Sequence, residues 1–223
     1  MTTDVKKKFW QYGGILAGVV LVAFGIGALA MGIAGRSEVR SDVKREAVVG
    51  SPDMTPSAIK AEATKAGLDV SKLDIPSMSV AGKTISTGDQ AKAFAGYMRI
   101  HTLEATGGAT YSQIGRFQAL PNAPKSELAV GGGTDNEKYA VIDSATKQPA
   151  ANHVRDIWVT ETALTTALNT SFFAERVALF SMVIGLALLL TGIGFLVLAW
   201  VGALQGREAT KAATASASTS VLA

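Results

Sequence analysis

The chain contains no cysteine and only two histidines among its 223 residues. Without cysteine no disulfide can form, so every folded region must be held together by packing alone. Thiol catalysis and thiolate metal sites are also excluded, because both need a cysteine sulfur. Any chemistry that depends on an imidazole must use His101 or His153.

Charged residues are missing from two long stretches of the chain. Residues 9–35 form one run of 27 residues, and residues 177–206 form a second run of 30 residues. A helix needs about 20 apolar residues to cross a bilayer, so both runs are long enough to span it with some tilt. A buried core helix is usually shorter, as is the apolar part of a cleaved signal peptide. We therefore predict two transmembrane helices, of which the first is an uncleaved anchor.

The excess of positive charge lies at the two ends of the chain. Residues 1–8 and 207–223 together hold five basic and two acidic side chains, whereas residues 36–176 hold 16 of each sign. Basic flanks favour the cytoplasmic side, and long connecting segments cross the membrane largely regardless of their charge. This pattern predicts cytoplasmic termini and an extracytoplasmic domain. The basic charge is confined to short tails, so it does not indicate nucleic-acid binding.

Small residues recur on one face of each predicted span, at steps of four and seven residues. Those that we predict to pack are Gly14, Gly18, Gly25, Gly32, Gly185, Gly192 and Ala199. Small residues allow helix backbones to approach closely in lipid, so the matched stripes predict an antiparallel helix hairpin. Neither span carries a charged side chain, and charged side chains within a membrane usually mark ion or proton pathways. A transporter is therefore not indicated.

The segment between the spans carries helix start and stop signals. Capping residues, a proline at a first helical position and terminal glycines predict helices over residues 55–67, 87–106 and 110–120. A further helix is predicted over residues 155–204, continuous with the second span. Residues 139–142 are a candidate short strand. The glycines at 131–133 are followed by no Lys-Ser/Thr pair, so they do not form a nucleotide-binding loop.

One of the two histidines lies in the stretch "YMRIHTLEATGGATYSQ", residues 97–113. On a helix, His101 falls on the inward face, with Glu104 and Tyr97 as candidate hydrogen-bond partners. We favour a structural role, in which a buried imidazole is oriented by a carboxylate or a phenol. The alternative is a metal site, for which His101, Glu104 and His153 are the candidate ligands. A non-haem iron site needs two histidines and one carboxylate. Because His101 and His153, the two histidines of this chain, belong to different elements, we predict no catalytic residue, cofactor or metal.

The stretches "YMRIHTLEATGGATYSQIGRF" and "DIWVTETALTTALNTSFFAERVALFS" resemble uncharacterised two-span membrane proteins of Actinobacteria. The resemblance extends over most of the chain, including both apolar runs and the Gly-Gly pair after the histidine helix. It implies a bacterial membrane protein and carries over no established activity.

The sequence as a whole predicts a mainly α-helical protein. Its predicted architecture is a two-helix transmembrane hairpin with a small, mostly helical extracytoplasmic domain between the spans. The predicted segments are a cytoplasmic tail at 1–8, a span at 9–35, the domain at 36–176, a span at 177–206 and a disordered cytoplasmic tail at 207–223. The predicted location is the plasma membrane, crossed twice, with both termini in the cytoplasm.

The predicted function is contact between proteins, without catalysis. The chain would serve as a scaffold, accessory subunit or assembly factor of an envelope complex. Its expected partners are the lipid bilayer and other membrane proteins or a second copy of itself, and neither nucleic acid nor nucleotide. The alternative is a metal-dependent enzyme or sensor that uses His101 and Glu104 with His153, such as a ring-cleaving dioxygenase.

Overall fold

The computed structural model describes the backbone of residues 3–220 and the side chains of residues 12–205 and 208. Within residues 3–220 the chain is mainly helical, as predicted. It forms four α-helices: α1 (Thr3–Arg45), α2 (Pro56–Lys65), α3 (Gly88–Ala105) and α4 (Val154–Ser220). The same residues contain no β-strand, only isolated bridges and short 3-10 turns.

The chain divides into two compact units. The helix-pair unit combines Met1–Ser37 with Val177–Ala223, and the central domain is Glu38–Arg176. Each of the two long helices, α1 and α4, contributes one part to each unit.

Both long helices are apolar enough and long enough to cross a membrane, over Tyr12–Arg45 and Val154–Gln205. Only 11% of the most apolar window of each helix is buried within the protein. A core helix of a soluble protein would be mostly buried. Large apolar side chains such as Leu16, Phe24 and Leu198 are instead about two-thirds exposed.

The two long helices extend beyond the predicted spans. α1 begins at Thr3, within the predicted cytoplasmic tail, and α4 continues to Ser220. The prediction of a disordered tail is therefore wrong for residues 207–220, which are helical. This segment is rich in alanine, the strongest helix former, and has no glycine or proline to stop the helix. Residues 221–223 lie outside the described part of the chain.

The core of the central domain forms where α2 packs against α3. Ile59 and Ala63 of α2 are wholly buried, and the end of α1 and the adjoining part of α4 contribute Val43 and Leu168. The buried apolar residues that α3 supplies are Ala91, Ala93, Phe94, Ala95, Tyr97 and Ile100. The domain thus builds an apolar core without a disulfide.

The predicted caps of α2 and α3 are present. Thr55 Oγ1 accepts a hydrogen bond from the backbone N–H of Ala58, and Thr87 Oγ1 accepts one from Gln90. The Gln90 side chain accepts from the backbone N–H of Ser86 rather than from that of Thr87, so the reciprocal bond is displaced by one residue. α3 ends just before Gly107, whose positive φ of 60° suits glycine at a helix terminus.

The predicted helix over residues 110–120 is wrong. Only Tyr111–Gln113 form a 3-10 turn. The chain beyond it makes backbone hydrogen bonds to distant segments, from Phe117 to Thr134 and from Gln118 to Ala150. Residues 139–142 form isolated bridges rather than a strand. These non-local backbone hydrogen bonds outweigh the local helix signal, since capping starts a helix but cannot extend it.

α3 is buried over a wider surface than its sequence pattern predicts. The helical spacing of the apolar residues in α3 would place Thr102 outside the buried face and Ala105 within it, yet Thr102 is only 3% exposed and Ala105 is exposed. Thr102 lines a cleft with Thr160 and Glu161 of α4. α3 therefore packs against α4 as well as α2.

Candidate functional site

Within the helix-pair unit, α1 and α4 approach each other through their backbones. A Cβ atom placed on Gly25 would lie 2.8 Å from the carbonyl oxygen of Gly185 and 2.6 Å from the nitrogen of Leu189. A Cβ on Gly185 would lie 2.8 Å from the oxygen of Gly25. These distances are too short for a Cβ atom, so the backbones can be this close at this pair because both Gly25 and Gly185 lack one.

The close contacts repeat every seven residues. A Cβ on Gly18 would lie 2.9 Å from the oxygen of Gly192, and one on Gly32 would lie 2.7 Å from the oxygen of Ala178. Each step of seven forward along α1 meets a step of seven backward along α4, so the two helices are antiparallel. Ala178 was not among the predicted packing residues, although it lies seven residues before Gly185 and is small.

The contact is looser at Gly14 and Ala199. A Cβ on Gly14 would lie 3.6 Å from the Cβ of Ala199, an ordinary van der Waals distance. All seven predicted packing residues therefore lie where the two helices meet. By contrast, Gly13 and Gly27 have no neighbour that an added Cβ would meet within 4 Å. The Ser181 hydroxyl also joins the helices, donating to the carbonyl oxygen of Ala28 at 3.0 Å.

The central domain holds the histidine that the sequence singled out. His101 lies on α3, and its Nδ1 is 3.0 Å from Glu104 Oε2, as the spacing of three residues predicts. Tyr97, the other expected partner, does not bond His101. Its hydroxyl donates to the backbone oxygen of Met78 at 3.1 Å, and burial raises the pKa of Tyr97 above its ordinary value. Tyr97 thus fastens α3 to the loop before it.

Two further carboxylates meet His101 from another part of the chain. Asp53 Oδ2 lies 3.5 Å from His101 Nε2, while the other Asp53 oxygen accepts a hydrogen bond from the Ser51 hydroxyl. Ligand atoms from Asp53, Glu62 and His101 lie within 4.8 Å of one another. Asp53 precedes α2 and Glu62 lies within it, so the packing of α2 on α3 creates this cluster.

The cluster is partly shielded from solvent. The side chains of His101, Glu104 and Asp53 are 24%, 16% and 34% exposed. His101 Nε2 and Glu104 Oε1 are both buried atoms without a hydrogen-bond partner. Most buried polar atoms have a partner, so these two call for an explanation.

His153 lies apart from this cluster. Its side chain is 78% exposed, and its Nδ1 is 3.0 Å from Asp156 Oδ2. Among the described residues, the one group of three or more side chains placed to share a metal ion contains His101, Asp53 and Glu62 but not His153. The sequence could not indicate Asp53 or Glu62, because both lie far from His101 along the chain and no local pattern connects them to it. Only the packing of two helices brings these carboxylates to the imidazole.

Comparisons of the chain with protein-family models, curated proteins and solved structures found no match. Any function must therefore follow from the residues themselves. They form two distinct features, an apolar helix pair with a glycine contact and a half-buried group of three carboxylates around one imidazole.

Proposed function

We propose that the chain is an integral membrane protein that acts by protein–protein contact. It serves as a scaffold, accessory subunit or assembly factor of an envelope complex in the plasma membrane and catalyses no reaction. The observation that carries this proposal is the exposure of the two apolar helices. Met31, Leu198 and Trp200 are 75%, 70% and 65% exposed. Surfaces this apolar are stable only when lipid or another protein covers them.

The glycine contact supports a rigid hairpin rather than two independent anchors. α1 and α4 meet through backbone at Gly18, Gly25 and Gly32, and many bulky side chains, such as Phe24, Met31 and Leu198, are exposed on the outer faces of the two helices. The outer faces therefore remain available to lipid and to the spans of a partner. A preformed hairpin loses little conformational freedom when it binds such a partner, which favours association.

Cysteine pairs test the hairpin directly, because the chain has no cysteine of its own. The Cβ atoms at positions 14 and 199 lie 3.6 Å apart, within the range of about 3.5–4.5 Å that a disulfide needs. We expect Gly14→Cys with Ala199→Cys to form an intramolecular disulfide in native membranes, detected as a mobility change that a reductant reverses.

The matched control moves one cysteine by one residue. Gly13→Cys with Ala199→Cys should not crosslink, since an added Cβ at position 13 meets nothing within 4 Å. Equal yields from the two pairs, or only disulfides between chains, would contradict the hairpin.

The distribution of charge supports cytoplasmic termini and an extracytoplasmic domain. Single cysteines test this orientation with a maleimide that cannot cross membranes. Val130→Cys lies in the central domain at a position that is 88% exposed, and Glu208→Cys lies at an exposed position near the C-terminus. On intact cells we expect labelling at position 130 only, and at position 208 after lysis. The reverse pattern would invert the proposed topology.

Crosslinking in native membranes followed by mass spectrometry tests the contact function. We expect crosslinks from the chain to another membrane protein or to a second copy, and recovery of that partner in mild detergent. Recovery of a monomer alone by both methods would contradict the proposal.

A further inference from the structure

The Nε2 atom of His101 faces the carboxylate of Asp53 but makes no hydrogen bond. Its Nδ1 is 3.0 Å from Glu104 Oε2, and an ionised carboxylate can only accept, so Nδ1 carries the proton. In a neutral imidazole Nε2 then presents a lone pair. That lone pair faces Asp53 Oδ2 at 3.5 Å, and Nε2 is buried without a partner. Two facing lone pairs repel each other unless a positive charge lies between them.

The carboxylates of the cluster also lack a cation. Within the described side chains, Asp53, Glu62 and Glu104 form no ion pair with lysine or arginine. Oε1 of Glu104 is buried without a hydrogen-bond partner. Buried carboxylates are normally paired with a cation or bound to a metal. The electrostatics of the cluster and the unpartnered imidazole nitrogen thus indicate the same missing positive charge.

We propose that Asp53, Glu62 and His101 bind a divalent transition-metal ion of the zinc class, with Glu104 as the residue that positions the imidazole. Zinc bonds of about 2.1 Å to nitrogen and oxygen, arranged tetrahedrally, separate neighbouring ligand atoms by about 3.4 Å. The 3.5 Å between His101 Nε2 and Asp53 Oδ2 matches that separation. The contact of Glu104 with Nδ1 is the arrangement in which a carboxylate orients a metal-binding histidine.

The ligand types select the class of ion. An imidazole nitrogen with carboxylate oxygens suits zinc and its neighbours, whereas calcium and magnesium take oxygen ligands. Three protein ligands leave a fourth position for water in a tetrahedral site. The three side chains are only partly buried, so an ion can enter from solvent.

The ion would tie together three parts of the central domain. Asp53 lies before α2, Glu62 lies in the second half of α2, and His101 lies on α3. A shared ion therefore joins both ends of α2 to α3 in a domain that has no disulfide. This role is independent of the proposed contact function.

The first experiment uses the full-length protein in detergent, purified without a histidine tag and stripped of metal by a chelator. Zinc is titrated in competition with a chromogenic chelator. We expect one zinc ion per chain, with affinity at least tenfold weaker in Asp53→Asn and in His101→Gln. Glu104→Gln should weaken binding about 10–100-fold through the orientation of the imidazole.

His153 supplies the matched control. Its Nδ1 makes the same 3.0 Å contact to a carboxylate three residues later, but its side chain is exposed and outside the cluster. His153→Gln should leave zinc affinity unchanged. Because the chain has only two histidines, selective isotope labelling of histidine gives an NMR spectrum with two sets of imidazole signals. Zinc should shift the Nε2 signal of His101 alone.

Failure to bind zinc stoichiometrically in the wild-type protein would overturn the proposal, and a proton on Nε2 would then supply the missing charge. Affinity that is unchanged in Asp53→Asn and His101→Gln, or lost in His153→Gln, would also overturn it. So would stoichiometric calcium binding that His101→Gln does not affect. The wild-type measurement decides the outcome even if a variant fails to fold.

Discussion

The internal packing of the helix-pair unit is opposite in kind to that of the central domain. In the helix pair the backbones approach closely at Gly18, Gly25 and Gly32, and many large apolar side chains, such as Phe24 and Leu198, are exposed. In the domain the bulky side chains, such as Ile59 and Tyr97, are wholly buried. The difference follows from the surroundings. In the proposed lipid surroundings apolar side chains gain nothing by leaving lipid, so close backbone packing would dominate there, whereas in water their burial is the main driving force.

Charge is handled differently as well. Residues 12–35 and 177–205 contain no ionisable group except Tyr12. The domain instead buries the Glu175 carboxylate, which is paired with Arg40 at 2.7 Å and accepts the backbone N–H of Gly88 at the start of α3. A carboxylate at a helix N-terminus satisfies an otherwise unpaired donor and interacts favourably with the helix dipole. The domain can bury the Glu175 carboxylate because both the Arg40 side chain and a backbone N–H contact it.

The largest expected effect lies in the core of the domain. Ile59→Ala removes a side chain that is 0% exposed and should lower the free energy of unfolding by about 2–5 kcal/mol. Fluorescence of Trp158, which is 3% exposed, can follow unfolding in the full-length chain once Trp10 and Trp200 are replaced by phenylalanine. Lys60→Ala, next in sequence and exposed, should change stability by less than about 0.5 kcal/mol. Equal effects from the two substitutions would show that α2 is not packed as described.

The corresponding test of the helix pair adds a single methyl group. Gly25→Ala places a Cβ atom within 3 Å of the opposing backbone and should weaken helix packing by about 1–3 kcal/mol. The readout is the yield of the disulfide between cysteines introduced at positions 14 and 199, which should fall. Gly27→Ala adds the same methyl group where nothing lies within 4 Å, and it should leave the yield unchanged. A similar loss for both variants would indicate that the methyl group acts on the helix itself rather than on the contact.

A smaller effect is expected at the start of α3. Thr87→Ala removes the side-chain oxygen that accepts the N–H of Gln90 and should cost about 0.5–2 kcal/mol. Thr87→Ser keeps that oxygen and should retain most of the stability. Hydrogen exchange at the Gln90 amide should accelerate in the alanine variant only. Unchanged exchange would mean that the cap contributes nothing.

The smallest effect concerns pH. A hydrogen bond from the backbone N–H of Arg116 lowers the pKa of Asp135 below its ordinary 3.8, with help from the Arg116 side chain and against a smaller effect of burial. A carboxyl group with a lowered pKa in the folded state stabilises the protein above its unfolded pKa, and this stability is lost as pH falls through the folded value. Since the side chain is 64% exposed, we expect only a few tenths of a kcal/mol. NMR titration should show a midpoint below 3.8, and Asp135→Asn should remove the pH dependence that this residue causes.

Local signals in the sequence were sufficient for several features. The caps at Thr55 and Thr87 and the glycine stop of α3 act within one helical turn, so their residues indicate helix ends directly. The seven-residue spacing of the glycines likewise indicated which face of each long helix packs against the other helix. The third predicted helix failed because the residues after Gln113 bond to segments that are distant in sequence, and no local pattern reports such partners.

The cluster around His101 shows what could not be predicted from the sequence alone. The sequence determined two long apolar helices, a domain without disulfides, and a position of Glu104 within reach of His101, because composition and helical spacing suffice for these features. Only the tertiary structure decided that Asp53 and Glu62 lie close to His101 and that His153 stays apart. The physical reason is that the packing of α2 on α3 is driven by buried apolar residues such as Ile59, which carry no information about the polar groups brought together beside them.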